Sequence, residues 1–152
     1  QKARVERMCA EAEADGLPLL ATGEIAPEAD PGGFYVAPRL YGPVPADAPL
    51  AREEVFGPVL ALTTFTDEAE AVALANGTDY GLVAGVWSRD GARALRVARR
   101  LRAGQVFVNA YGAGGGIELP FGGFGKSGHG REKGVAGLEE FTTLRTLVLK
   151  HG

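Results

Sequence analysis

Two adjacent carboxylates and then an aromatic ring open the stretch Glu53-Glu54-Val55-Phe56-Gly57-Pro58-Val59. In an extended segment alternate side chains share a face, so Glu54 and Phe56 fall on one side and Glu53 and Val55 on the other. A carboxylate that accepts two hydrogen bonds beside a flat apolar surface suits a sugar diol attached to an aromatic base. The plainer alternative leaves both carboxylates in solvent and Phe56 in the core. A second segment, YGAGGGIELPFGGFGKSGHG over residues 111–130, is rich in glycine and therefore in backbone that can hug a ligand. Both segments are expected at strand edges on the same side of a sheet.

The elements that must position them follow from hydrophobic periodicity. Val5, Met8, Cys9 and Ala12 recur at three- and four-residue spacing, which predicts an amphipathic helix over Lys2 to Asp15, closed by Gly16. A short strand is expected near Leu19 to Thr22, and another at Phe34 to Leu40, where Pro38 suggests an edge position. Beyond the opening motif the pattern becomes regular. Val59 to Phe65 predicts a strand; Asp67 and Glu70 form a capping box for a helix to Asn76, ended by Gly77. Leu82 to Ser88 is the next strand. Asp90 caps a further helix whose Ala94, Leu95, Val97, Ala98 and Leu101 form the buried side, and Gln105 to Asn109 follows as a strand. Glu132 to Glu139 predicts a short helix and Phe141 to Lys150 a last strand. Alternating strands and helices imply right-handed crossovers and a parallel sheet covered on both faces, with ligands at the carboxyl ends of its strands.

Several other features carry less than they suggest. FGGFGKS lacks the first glycine of a phosphate-binding P-loop, because Pro120 stands at that position and no helix begins after Ser127. Cys9 lies on an apolar stripe and reads as packing rather than as a nucleophile. Asn76-Gly77-Thr78 reads as a helix end. Arg89, Arg93, Arg96, Arg99, Arg100 and Arg102 read as a solvated face or a subunit contact. His129 and His151 match no metal-ligand spacing.

The bulk composition agrees with one soluble globular domain: 152 residues, 45% of them hydrophobic, with 23 glycines. A formal charge of −3 opposes nucleic acid as a partner. No run approaches the roughly 18 apolar residues that span a bilayer, so no membrane partner is expected. The single cysteine forms no internal disulfide, which fits a cytoplasmic protein. Gln1 already belongs to a helical pattern, so the chain reads as part of a longer protein.

Three segments in order, EEVFGPV at 53–59, QVFVNAY at 105–111 and PFGGFGKSGHGREKG at 120–134, resemble the NAD(P)-dependent aldehyde dehydrogenase superfamily. The resemblance runs from Gln1 to about Lys150. It implies an α/β fold: a parallel-sheet portion of the family's catalytic domain over residues 1–140, helices on both faces, and a C-terminal oligomerisation strand over 141–152. It further implies that Glu54 accepts hydrogen bonds from the nicotinamide ribose of NAD or NADP, that Phe56 packs beside it, and that Gln1 and Arg4 lie near the adenosine half. Phe121 would line the aldehyde pocket, with Tyr111 to Leu119 as its variable wall. Glu132 would relay protons, or else pair with Arg131 or Lys133.

The family's chemistry is covalent: a cysteine thiolate attacks the aldehyde, hydride passes to NAD(P)+, and a glutamate-activated water hydrolyses the thioester. Neither that nucleophile nor that base has a match in this chain, so it is expected to be inactive alone. The thin Gly112 to Gly116 run and the acid at Glu118 suggest a roomy pocket for a polar or cationic aldehyde. The partners implied are a small aldehyde and a second copy of the chain. A noncatalytic interaction module and a CoA-acylating relative remain as alternatives.

Overall fold

The computed structural model describes residues 1–112 and 116–152. Packing divides the chain into two units, Gln1–Thr78 and Asp79–Gly152.

In the first unit, helix α1 (Lys2–Ala14) buries Val5, Met8, Cys9 and Ala12, the four residues of the periodic stripe. Its end is closed by Gly16 at φ +78°, with the Leu17 amide donating to Ala12 O at 2.9 Å and the Gly16 amide to Glu13 O at 3.0 Å. That pairing satisfies two carbonyls the helix leaves open, at a backbone angle only glycine adopts without strain. The stripe packs on Tyr41, Val44, Leu50 and Val55 to make the core. Strands β1 (Leu19–Thr22), β2 (Arg39–Tyr41) and β3 (Val59–Ala61) form one sheet in that order, β1 antiparallel to β2 and β2 parallel to β3. The strand expected at Phe34 to Leu40 is thus shorter and shifted, and it is central rather than at an edge. Pro38 lies just before it, where its carbonyl accepts from the Gly23 amide at 2.8 Å and its missing N–H costs no ladder bond. A single turn, α2 (Pro49–Arg52), leads into the Glu53 motif.

Helix α3 (Glu68–Ala75) starts as its capping residues dictate, with Asp67 Oδ1 accepting from the Glu70 amide at 2.8 Å. The reciprocal contact lands one residue earlier than in the standard box. Glu70 Oε2 accepts from the Thr66 amide at 2.7 Å and the Thr66 hydroxyl at 2.6 Å, which lowers the Glu70 pKa.

In the second unit, β4 (Val83–Val86) and β5 (Gln105–Val108) pair in parallel, and α4 (Gly91–Ala98) crosses over both. Asp90 Oδ1 caps α4 by accepting from the Arg93 amide at 3.0 Å. Ala94 is fully buried and Val97 and Ala98 half-buried, but Leu95, expected on the inner face, is exposed. A 3-10 turn at Gly125–Ser127 and helix α5 (Gly134–Glu139) complete the unit. The α/β class with parallel pairing therefore holds, with the strands distributed between two sheets. The strand expected over Phe141 to Lys150 carries no ladder: Leu144, Leu147, Val148 and Leu149 are exposed, and a strand exists only against a neighbour that takes its backbone bonds.

Tyr41 ties helix to sheet. Its ring is wholly buried and its hydroxyl donates to Glu13 Oε1 at 2.7 Å. Burial, and then the bond to Glu13, push its pKa up from 10.0. A group titrating higher in the folded chain contributes stability that is intact below the ordinary tyrosine pKa and is lost as pH climbs beyond it. Alkaline unfolding of this unit should accordingly begin above about pH 10. Tyr41→Phe should flatten that loss at high pH while lowering stability near neutrality by about 1 kcal/mol, as read by circular dichroism against pH.

Candidate functional site

The Glu53 motif folds as a turn gripped by the first turn of α1. Arg4 Nη2 donates to Glu54 O at 2.6 Å, and Gln1 Nε2 donates to Val55 O at 2.9 Å and to Phe56 O at 2.8 Å. Gly57 follows, where a Cβ would stand 2.6 Å from Val5 Cγ2, so the chain passes against the helix at a distance only glycine permits. Gln1, Arg4, Glu54 and Phe56 are therefore brought together, with Gln1 and Arg4 touching the backbone of the other two.

Simple alternation does not describe this turn. Phe56 has φ +58°, a left-handed conformation rare for a bulky residue, so the segment is not extended throughout. Val55 is buried while Glu54 and Phe56 on either side of it are exposed, Phe56 by 72%. Glu53 does not share Val55's burial; its carboxylate lies 3.9 Å from Arg4 Nη2 in solvent. The two acids are thus sorted. Arg4 faces Glu53, and the exposed Glu54 carboxylate is left with no partner among the described residues. An uncommitted carboxylate on the same turn as an exposed ring fits a ribose diol and the base it carries.

The second unit holds the other predicted residues. Phe121 and Glu132 exchange both backbone hydrogen bonds at 2.7 Å, an isolated antiparallel bridge. Both line a cavity of about 870 Å3 with Ile117, His129, Arg131 and Phe141. Arg131 Nη1 donates to Gly130 O at 2.6 Å and Gly123 O at 3.1 Å, and the guanidinium stands 5.1 Å from the Phe124 ring centre. Lys133 Nζ stands 5.7 Å from the Phe121 ring centre. Tyr111 lies outside that lining, 74% exposed, with its ring 6.4 Å from that of Phe107. Glu118 is also exposed and outside the lining, and its carboxylate covers the place where a Cβ on Gly116 would stand. Within the Gly112 to Gly116 run, Ala113, Gly114 and Gly115 lie outside the described residues.

The structural part played by Asn109 was missed in the sequence. Asn109, at φ +51°, accepts from the Ser88 amide through Oδ1 at 2.8 Å and donates to Ser88 O through Nδ2 at 2.9 Å. Its side chain thus replaces one more pair of β4–β5 ladder bonds and turns the chain towards the glycine loop. An Asn at a strand's end, tolerant of the left-handed region, is the available signal.

Known proteins agree in extent and in shape. The model of the aldehyde dehydrogenase family matches residues 1–147. The betaine aldehyde dehydrogenase of Rhizobium leguminosarum bv. trifolii (strain WSM2304) is 40% identical over 152 residues, covering 100% of this chain and 31% of that protein. The NADP/NAD-dependent aldehyde dehydrogenase PuuC of Escherichia coli (strain K12) is 51% identical over 112 residues, covering 74% of this chain and 22% of its own length. The Mycobacterium tuberculosis aldehyde dehydrogenase solved in complex with NAD+ superposes with a TM-score of 0.89 at 35% identity, over 99% of this chain and 31% of that one. The chain thus spans a third or less of the lengths of these proteins. With the turn, the bridge at Phe121 and the family match running through both units, this chain belongs to the aldehyde dehydrogenase family.

Proposed function

We propose that this chain is the cofactor-facing and aldehyde-facing part of the catalytic domain of an enzyme that oxidises an aldehyde to a carboxylic acid with NAD or NADP through a cysteine thioester. The observation that supports this reading is the uncommitted Glu54 carboxylate on the same exposed turn as the Phe56 ring, a turn whose backbone Gln1 and Arg4 hold. When bound, the nicotinamide group accepts the hydride that the aldehyde gives up. Glu54 would accept the hydroxyls of its ribose and Phe56 would pack against its apolar edge, fixing the angle of approach. Phe121 would supply an apolar wall for the aldehyde, and Glu132 a carboxylate able to hold or pass a proton.

The chemistry needs a thiolate that this chain does not offer. Cys9 is its single cysteine and is 0% exposed, packed in the core. The isolated chain should therefore be inactive and bind cofactor weakly. The exposed apolar run from Leu144 fits an added strand contributed by a second copy, giving a homo-oligomer. A single free thiol fits a cytoplasmic location.

For substrate class, the exposed Glu118 acid and the names of the betaine aldehyde dehydrogenase relatives favour a cationic aldehyde over a neutral one. Glu118→Gln in the complete enzyme should lower kcat/KM for a quaternary ammonium aldehyde several-fold and leave a neutral aldehyde of equal length unchanged. Equal losses on both would remove Glu118 from substrate choice. The wider test is to express the complete reading frame and follow reduced-cofactor absorbance across an aldehyde panel with each nucleotide. Absence of turnover with every pairing would overturn the proposal.

A further inference from the structure

We infer that Lys133 is a specificity-determining residue: its ammonium takes the face of the Phe121 ring that an aldehyde in the cavity would meet, so Phe121 acts as an apolar wall and not as a receiver of positive charge. The inference rests on the aldehyde reading above, and it leaves any preference for a cationic aldehyde to Glu118. Lys133 Nζ stands over the Phe121 ring, 5.7 Å from its centre. Both residues are half-buried and line the same cavity as Glu132. A cation so placed is attracted by the negative face of the ring. A second cation brought to that face would meet a like charge and a partner already engaged. The neighbouring Arg131 is engaged in the same manner, over Phe124 at 5.1 Å.

The contact depends on an unusual backbone. Phe121 and Glu132 are directly opposed in their antiparallel bridge, so in a regular strand the next residue, 133, would point to the face away from Phe121. Lys133 instead has φ +64° and ψ 168°, a region that glycine alone visits freely. The chain is pinned on both sides of it. Glu132 exchanges both backbone bonds with Phe121, and the Gly134 amide donates to Ile117 O at 2.9 Å. Gly134 leaves no room for movement, since a Cβ there would stand 2.7 Å from Glu118 O. Lys133 O accepts from the Gly137 amide at 2.9 Å as α5 begins. A side chain that an extended course would send away is thereby returned to Phe121. Glycine would hold this backbone without strain; what lysine adds is the ammonium over the ring.

The test uses the complete enzyme at saturating cofactor and compares kcat/KM for a quaternary ammonium aldehyde with that for a neutral aldehyde of equal length. Lys133→Met, which keeps the stem and loses the charge, should raise kcat/KM for the cationic aldehyde about fivefold, through KM, and change the neutral one by less than about twofold. Lys133→Arg keeps a cation over the ring and should match wild type on both aldehydes within about twofold. Lys133→Gly suits the backbone angle and should repeat the Lys133→Met shift, so it decides the question if the methionine variant does not fold. Equal changes on both aldehydes, no change on either, or a fall for the cationic one would overturn the inference. So would a Lys133→Arg enzyme that behaves like Lys133→Met. Wild-type enzyme that oxidises neither aldehyde with either nucleotide would overturn the aldehyde reading itself, and the inference with it, before any variant is compared.

Discussion

Glu54→Gln in the complete enzyme should lower kcat/KM for the cofactor about thirty- to a hundredfold while leaving the melting temperature unchanged. Hydrogen bonds to a charged acceptor contribute about 1.5–3 kcal/mol, and an amide of the same shape offers one oxygen where the carboxylate offers two. The effect should be large because Arg4 stands against Glu53 and the backbone, and among the described residues no cation pairs with the Glu54 carboxylate. It should be absent from stability because the side chain is exposed and buries nothing on folding. Glu53→Gln is the internal control, expected to change kcat/KM by less than about threefold, since an exposed pair with Arg4 contributes little. A comparable loss from both variants, or a loss accompanied by earlier melting, would remove Glu54 from its proposed role. Steady-state kinetics and thermal denaturation on the two variants are sufficient to decide.

The largest effect on stability should come from Gly104→Ala. A Cβ at this position would land on the carbonyl oxygen of Gly122 and stand 2.7 Å from its carbon and 3.2 Å from Gly123 Cα. All three are backbone atoms, so no rotamer change relieves the clash. Gly104 also donates its amide to Gly81 O at 3.1 Å, at the entry to β5. To admit the methyl, either that bond or the 122–123 segment must move, and both support the elements that carry Phe121. The expected cost is about 3 kcal/mol or more, read as an earlier urea midpoint for the second unit. Gly91→Ala serves as the opposite control. Nothing lies within 4 Å of a Cβ there and the residue opens α4, so it should stabilise by about 0.5–1 kcal/mol. Similar midpoints for the two variants would refute the steric account.

What could be read from the chain beforehand was what is decided locally. The α1 stripe, its closure at Gly16, the Asp67 and Asp90 caps and the β4–α4–β5 crossover each depend on residues within a few positions, and each appears where periodicity and capping chemistry put it. Features set across long separations were misplaced. β2 is central because β3 pairs with it from 20 positions later, as Arg39 opposite Val59 shows, and nothing near Pro38 announces that. Alternation predicts a common face for Glu54 and Phe56, but the two lie on a turn with Phe56 at φ +58°, not on an extended segment. A left-handed phenylalanine is among the less expected conformations, and the hydrogen bond its carbonyl accepts comes from Gln1, 55 residues away. Leu95 was misassigned because periodicity marks a stripe wider than the narrow face α4 needs to cover two strands.

The exposed C-terminal run also has a practical consequence. Arg145 and Lys150 bracket Leu147, Val148 and Leu149, which are 79%, 84% and 74% accessible. Trypsin should therefore nick this tail first, and anything laid along it should shield both bonds. The rate of clipping, followed by mass spectrometry as concentration is raised, becomes a footprint of assembly that needs no cofactor, aldehyde or turnover.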